Sequence, residues 1–169
     1  MIAVPALSER ACPAPRPRRL AVVDTNVWLD IFHFRDGESQ PLAAALDSPH
    51  WLAVRCQQTD AELAAVLGRE QFSSSPAQRE GLADRLRAWQ AQTLQFALRE
   101  QAPCRCRDPH DQKFLDLAFA AQAAVLLTKD KALLALKRKA LRFGLAILTP
   151  REFTARCGCT DFPLSRGAG

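Results

Sequence analysis

Four carboxylates recur at element ends along the 169-residue chain, and they are the side chains whose types and positions could do chemistry. Asp24, Glu62, Asp111 and Asp130 each stand where a short apolar run stops or a helix begins, and Asp108 lies three residues before Asp111. Gathered at one place, such groups would repel one another and could not all stay ionised without a counter-charge. Oxygen-only ligands suit a hard cation, Mg2+ or Mn2+, which keeps several waters and takes phosphate oxygens beside the carboxylates. The chemistry that follows is phosphodiester hydrolysis by a metal-activated water, with the cation neutralising charge on the phosphate and on the leaving oxygen. Basic side chains should then hold the rest of a nucleic-acid strand. Lys129 and Lys131 flank Asp130, and Arg105 and Arg107 precede Asp108, so these four are the expected phosphate contacts.

Each acid also has a purely local explanation. Glu62 follows Thr59 at the capping-box spacing, Asp111 sits in a first helical turn where the helix dipole favours negative charge, and Asp130 fits a helix cap. Asp116 falls about 140° round the helix from Asp111 and should point elsewhere. The functional reading therefore depends on whether the fold carries the four to one edge.

The elements that would do so are legible in the apolar pattern. Residues 20–23 form a short β-branched run without polar alternation, as expected for a strand buried on both faces, and Asp24 closes it. Residues 51–54, 125–127 and 145–148 read as three more strands. Between them, helices are expected directly after Asp24, over residues 41–46, and from Thr59-Asp60-Ala61-Glu62 through Leu63, Val66 and Leu67. A longer helix should run from the capping box Ser75-Pro76-Ala77-Gln78 through Leu82, Leu86 and Trp89 toward Leu98. Asp108-Pro109-His110-Asp111 should open another, carrying Phe114, Leu115 and Ala118, and one more should follow Asp130 with Leu133, Leu134, Leu136 and Leu141. Thr149-Pro150 caps a short terminal helix. Strands alternating with helices predict an α/β fold, a mostly parallel sheet covered on both faces, and such sheets present ligands at the carboxyl ends of their strands.

Composition narrows the classes further. Hydrophobic content of 48% and charged content of 24% are ordinary for a globular domain, and no apolar run approaches the ~20 residues that cross a bilayer. The net charge of +5 favours an anionic partner such as nucleic acid. Part of that excess lies in a Pro/Arg-rich start, so residues 1–18 are expected to be a disordered basic tail, residues 19–155 the folded domain, and residues 156–169 a frayed end. No signal-peptide layout is visible, which predicts a cytoplasmic protein. The six cysteines are read as free thiols, because the chain is neither very small nor visibly secreted, and the Cys104/Cys106 and Cys157/Cys159 pairs are read as unlinked loop cysteines in preference to a zinc site, which more often uses a two-to-four residue gap. His33 is read as a surface or capping residue. With no Tyr and few aromatics at loop positions, no platform for stacking bases is expected.

Four stretches in order carry a resemblance to the PIN-domain family: Val22-Val23-Asp24-Thr25-Asn26-Val27; Glu62-Leu63-Ala64-Ala65-Val66-Leu67 with Arg69 and Phe72; Asp108-Pro109-His110-Asp111 with Lys113-Phe114-Leu115; and Leu127-Thr128-Lys129-Asp130. The likeness spans about residues 19–153 and is strongest to the group described as toxins of toxin-antitoxin pairs. It implies a three-layer α/β/α sandwich and a metal-dependent ribonuclease leaving 5′-phosphate and 3′-hydroxyl ends. It also implies Asp24, Glu62, Asp111 and Asp130 as catalytic, Mg2+- or Mn2+-binding acids, with Asp108 as a candidate fifth and Thr25, Asn26 and Thr128 as polar supports. A cognate antitoxin protein and an RNA substrate would be the partners, with homodimerisation left open. Lys129 stands where relatives often carry Gly, and residues 56–58 where they carry a small polar residue. Two other readings compete: a catalytically silent PIN-like module that binds RNA or protein, and a phosphatase or receiver-type domain. Haloacid-type phosphatases would want Asp where Asn26 stands.

Overall fold

The computed structural model describes residues 18–34, 39–69, 75–99 and 101–157. Residues 1–17 and 158–169, Phe72, Cys159, and the side chains of His33, Leu82 and Cys157 lie outside the described residues, and with them the readings placed there. Strands β1 (Arg19–Val23), β2 (Trp51–Arg55), β3 (Leu94–Gln95), β4 (Val125–Leu127) and β5 (Ala146–Leu148) form one sheet in the order β3-β2-β1-β4-β5. Every pairing is parallel. β1 is central, with Ala21 opposite both Ala53 and Val125.

Its residues alternate between two cores, which is why the run lacks polar positions. Ala21 and Val23, with Leu127 and Leu148, face a layer made by α1 (Thr25–Leu29), α2 (Ser39–Leu46), α3 (Gln57–Leu67), α4 (Pro76–Ala91) and α8 (Pro150–Cys157). Leu42, Leu63, Trp89 and Phe153 fill that side. Val22, Leu126 and Ile147 face α5 (Gln112–Ala120), α6 (Lys131–Leu134) and α7 (Lys137–Leu141), through Phe114, Leu117, Leu133 and Ala140. The expected α/β/α sandwich is thus present. Among the described residues no helix is long and apolar enough to cross a membrane.

Several boundaries differ from the sequence reading. The helix expected to run toward Leu98 stops at Ala91, and Leu94–Gln95 turns back to pair as edge strand β3 with Val54 and Arg55. A two-residue strand has no periodicity to read, and only the neighbouring edge selects it. The leucine-rich stretch after Asp130 divides into α6 and α7 at Ala135 and Leu136. Beyond α1 the chain widens into a π-helical turn, Asp30–Phe34. α5 begins later than expected. Asp108 accepts the His110 N–H at 2.8 Å, and the i→i+3 bonds from Asp111 to Asp108 and from Gln112 to Pro109 are long, at 3.3 and 3.4 Å, so residues 108–111 form a turn rather than helix. Asp116 has partners of its own. Its Oδ1 accepts from the Ala102 N–H (2.8 Å) and the Gln112 side chain (2.9 Å), tying the preceding loop to α5.

Candidate functional site

Asp24 ends β1 and caps α1. It is 2% exposed. Its Oδ2 accepts from the Thr128 hydroxyl at 2.6 Å, and Oδ1 accepts from the Asn26 N–H at 3.4 Å. Thr128, itself buried, follows β4, which pairs with β1, so the two strand ends are held side by side. The same hydroxyl accepts the Asp130 N–H at 2.9 Å, linking Asp130, Thr128 and Asp24 in one chain of hydrogen bonds. Thr25 is buried behind Asp24, whereas Asn26 is exposed and lines a cleft of about 310 Å3 with Leu29, Asp30, Lys129 and Asp130.

Asp130 caps α6 as its local explanation requires, with Oδ1 accepting from Ala132 N (2.6 Å) and Leu133 N (3.3 Å). These capping bonds all fall on one oxygen. The capping explanation of Glu62 fails, because α3 starts at Gln57 and the Thr59 hydroxyl bonds back to the Cys56 N–H (3.0 Å) and carbonyl (2.9 Å). Glu62 lies a turn further on, where it forms an ion pair with Lys113. Asp111 occupies the cap position of α5 yet makes no capping bond with its side chain. Two of the four acids are therefore free of the helix-end roles that sequence alone allows them.

Charges of neighbouring acids act on two of the four, Asp24 and Asp111. Burial is the largest cause raising the Asp24 pKa, the bonds from Thr128 and Asn26 pull it back, and the charges of Glu62 and Asp130 add to the rise. Asp111 is pushed up to about 6, first by desolvation and then by Asp130, Asp24 and Asp108, with Lys113 opposing. Asp108 contributes to this field from an exposed position, its carboxylate engaged by the His110 N–H.

Oxygen donors of this kind have the chemistry to hold a divalent cation. Two of the carboxylates, Asp111 and the deeply buried Asp24, are held above the usual carboxylate range by burial first and by neighbouring acids after it. Among the described residues no three His, Cys, Asp or Glu side chains are drawn together closely enough to hold a metal ion between them. Cys104 and Cys106 are free thiols.

The basic residues divide. Lys129 pairs with Asp30 across the cleft, while Lys131 and Arg107 are exposed and Arg105 donates to Gln101 at 2.7 Å. Two residues of this neighbourhood were not singled out from sequence. Asp30 is reached only through the π-helical turn, which no pattern announces. Lys113 did leave a signal: a lysine in a first helical turn opposes the helix dipole and calls for a carboxylate partner. That partner is Glu62, and the ammonium also donates to the His110 carbonyl and lies 4.9 Å from the Phe114 ring centre.

A consequence for stability follows from Asp111. The folded chain keeps its proton to about pH 6, whereas the unfolded chain releases it near the model-compound value of 3.8. Between those values the native state binds more protons, so stability falls as pH rises. The melting temperature of metal-free Asp111→Asn, compared with the parent in EDTA, is expected to gain progressively between pH 4 and pH 7. A difference that stays constant across that range would contradict the burial and repulsion described for Asp111.

The chain matches the PIN domain family over residues 20–132 and belongs to it. PIN domains are generally metal-dependent nucleases. No curated protein matches the chain. Among solved structures it is similar to the T. brucei RRP44 PIN domain, with a TM-score of 0.42 and 18% identity over 83% of this chain and 82% of that one.

Proposed function

We propose that the protein is an endoribonuclease that uses Mg2+ or Mn2+, with Asp24, Glu62, Asp111 and Asp130 as its metal-holding acids and Asp108 at the margin. The observation that carries this reading is the mutual field of the acids: Asp24, buried at the end of the central strand, feels Glu62 and Asp130, and Asp111 feels Asp24 and Asp130. Such repulsion is costly in a resting protein and is relieved by a cation.

When bound, the dication would supply an activated water and neutralise charge on the phosphate. The chain's own groups do the positioning. Thr128 holds the Asp24 carboxylate from behind and the Asp130 backbone from the side, fixing the two strand-end acids to each other. Lys113 restrains Glu62, and Asn26 presents its amide at the cleft mouth beside Lys129. Lys129, Lys131, Arg105 and Arg107 would take flanking phosphates. We further read the protein as the toxin of a toxin-antitoxin pair, restrained in the cytoplasm by an antitoxin that covers the acidic cleft. The likeness of the four motif stretches supports this finer reading.

The test is cleavage of end-labelled RNA by the full chain with Mn2+, with Mg2+ and with EDTA. Fragments carrying 5′-phosphate and 3′-hydroxyl ends, formed only with a dication, are the expected result. RNA that binds in a salt-dependent way but stays intact with either metal would favour the silent binding module instead.

A further inference from the structure

The surface of α7 and the turn after it combines charge and apolar exposure in a way that packing does not explain. Arg138, Lys139 and Arg142 are all exposed, and none has a carboxylate partner among the described residues. Lys137 differs, because both Glu152 oxygens hold it, at 2.8 and 2.7 Å. Arg142 lies four residues after Arg138 and three after Lys139, so it is the helical neighbour of both. Cations near a helix end complement its dipole, which accounts for some of this charge. It does not account for Leu141 at 55% and Phe143 at 53% exposure, two of the three exposed large hydrophobic residues among those described.

Phe143 is also held in place. The turn closes with Phe143 N–H to the Ala140 carbonyl (2.9 Å) and Gly144 N–H to the Leu141 carbonyl (3.0 Å), and Gly144 takes a φ of 85° that a side chain would strain. The Phe143 ring meets Phe119 edge-to-face, with centroids 6.0 Å apart and planes at 80°. One edge of the ring is anchored to α5 while more than half of the residue faces solvent.

We propose that this surface is a track for single-stranded RNA: Arg138, Lys139 and Arg142 contact successive phosphates, and Phe143 stacks a base. Charge selects the occupant, because three cations with no carboxylate partner among the described residues, beside an anchored aromatic ring, match a polyanion whose bases have exposed faces. From Asp130 the chain runs through α6 and α7 and returns at Phe143 to the start of β5, at the other end of the parallel strands. Thirteen residues of helical rise amount to about 20 Å, the order of distance a single strand would cover between Asp130 and Phe143. This inference rests on the RNA-cleaving reading for its choice of nucleic acid, and it supplies the stacking residue that the sequence did not reveal.

The experiment measures binding of a fluorescent single-stranded RNA of about 12 nucleotides to the full chain in EDTA, by anisotropy across a salt series. Changing Arg138, Lys139 and Arg142 together to Gln should weaken binding at least tenfold and flatten the log–log salt slope by about 2, from about 0.7 per lost phosphate contact. Phe143→Ala should weaken binding roughly tenfold without changing the slope, and Phe143→Trp should restore it. With Mn2+, the triple variant should raise KM for the long RNA while cleavage of a dinucleotide is unchanged. Parental affinity in both the triple variant and Phe143→Ala overturns the proposal. If the parent binds through these residues yet never cleaves, the track stands and the nuclease reading falls.

Discussion

Replacing Asp24 by Asn is expected to lower metal-dependent RNA cleavage by about a thousandfold or more, because the several kcal/mol that a correctly held cation contributes at the reacting phosphate are lost together. The same change should raise the melting temperature of the metal-free protein. Asp24 is 2% exposed, and its ionised form is disfavoured by burial and by Glu62 and Asp130. An amide keeps an oxygen for the Thr128 hydroxyl while removing the charge. Single-turnover cleavage with Mn2+ and thermal unfolding in EDTA measure the two effects. Cleavage at the parental rate would remove Asp24 from the site. A lower melting temperature would mean that its charge is not the burden described. The opposed directions matter, because a substitution that merely damages the fold lowers both.

Phe114→Ala carries the largest expected stability effect. Phe114 is fully buried beneath the sheet, among Val22, Leu126 and Ile147, on the helix that bears Lys113 and follows Asp111. Removing an aromatic ring from such a core costs about 3–5 kcal/mol, a large part of the 5–15 kcal/mol that holds a typical domain together. Urea unfolding should show it as a shift in midpoint at unchanged slope, and Phe114→Leu should lose less than half as much. A loss below about 1 kcal/mol would contradict the packing of α5 against the sheet.

Much of the fold was legible because β1, β2, β4 and β5 are short apolar runs separated by helical periodicity, and a parallel sheet covered on both faces is what such alternation builds. β3 was not legible, since its two residues have no pattern of their own and are strand only by pairing with Val54 and Arg55. Helix starts were read a few residues out for a common reason. Thr59 and Asp108 each have the chemistry of a cap, but Thr59 bonds backward to Cys56 within a helix already begun, and Asp108 bonds forward into a turn that delays one. Residue type gave the capacity for a bond, and its direction depended on backbone that sequence does not fix.

The site divides along the same line. The sequence by itself determined that acids follow β1 and β4 and stand near the starts of α3 and α5, and a parallel sheet places the two strand-end acids on one edge. It left local capping open as a sufficient explanation. Tertiary structure divided the four: Asp24 and Asp130 do cap α1 and α6 and are joined through Thr128 across paired strands, whereas Glu62 faces Lys113 instead of its own helix end and Asp111 leaves its cap unmade. It also exposed Phe143 beside cations that have no carboxylate partner among the described residues, at a loop where composition had given no reason to look. The physical reason is range. Periodicity and capping are local and survive in the order of residues, whereas the repulsion among carboxylates and the pairing of strand ends act through space, and exist only once the chain has folded.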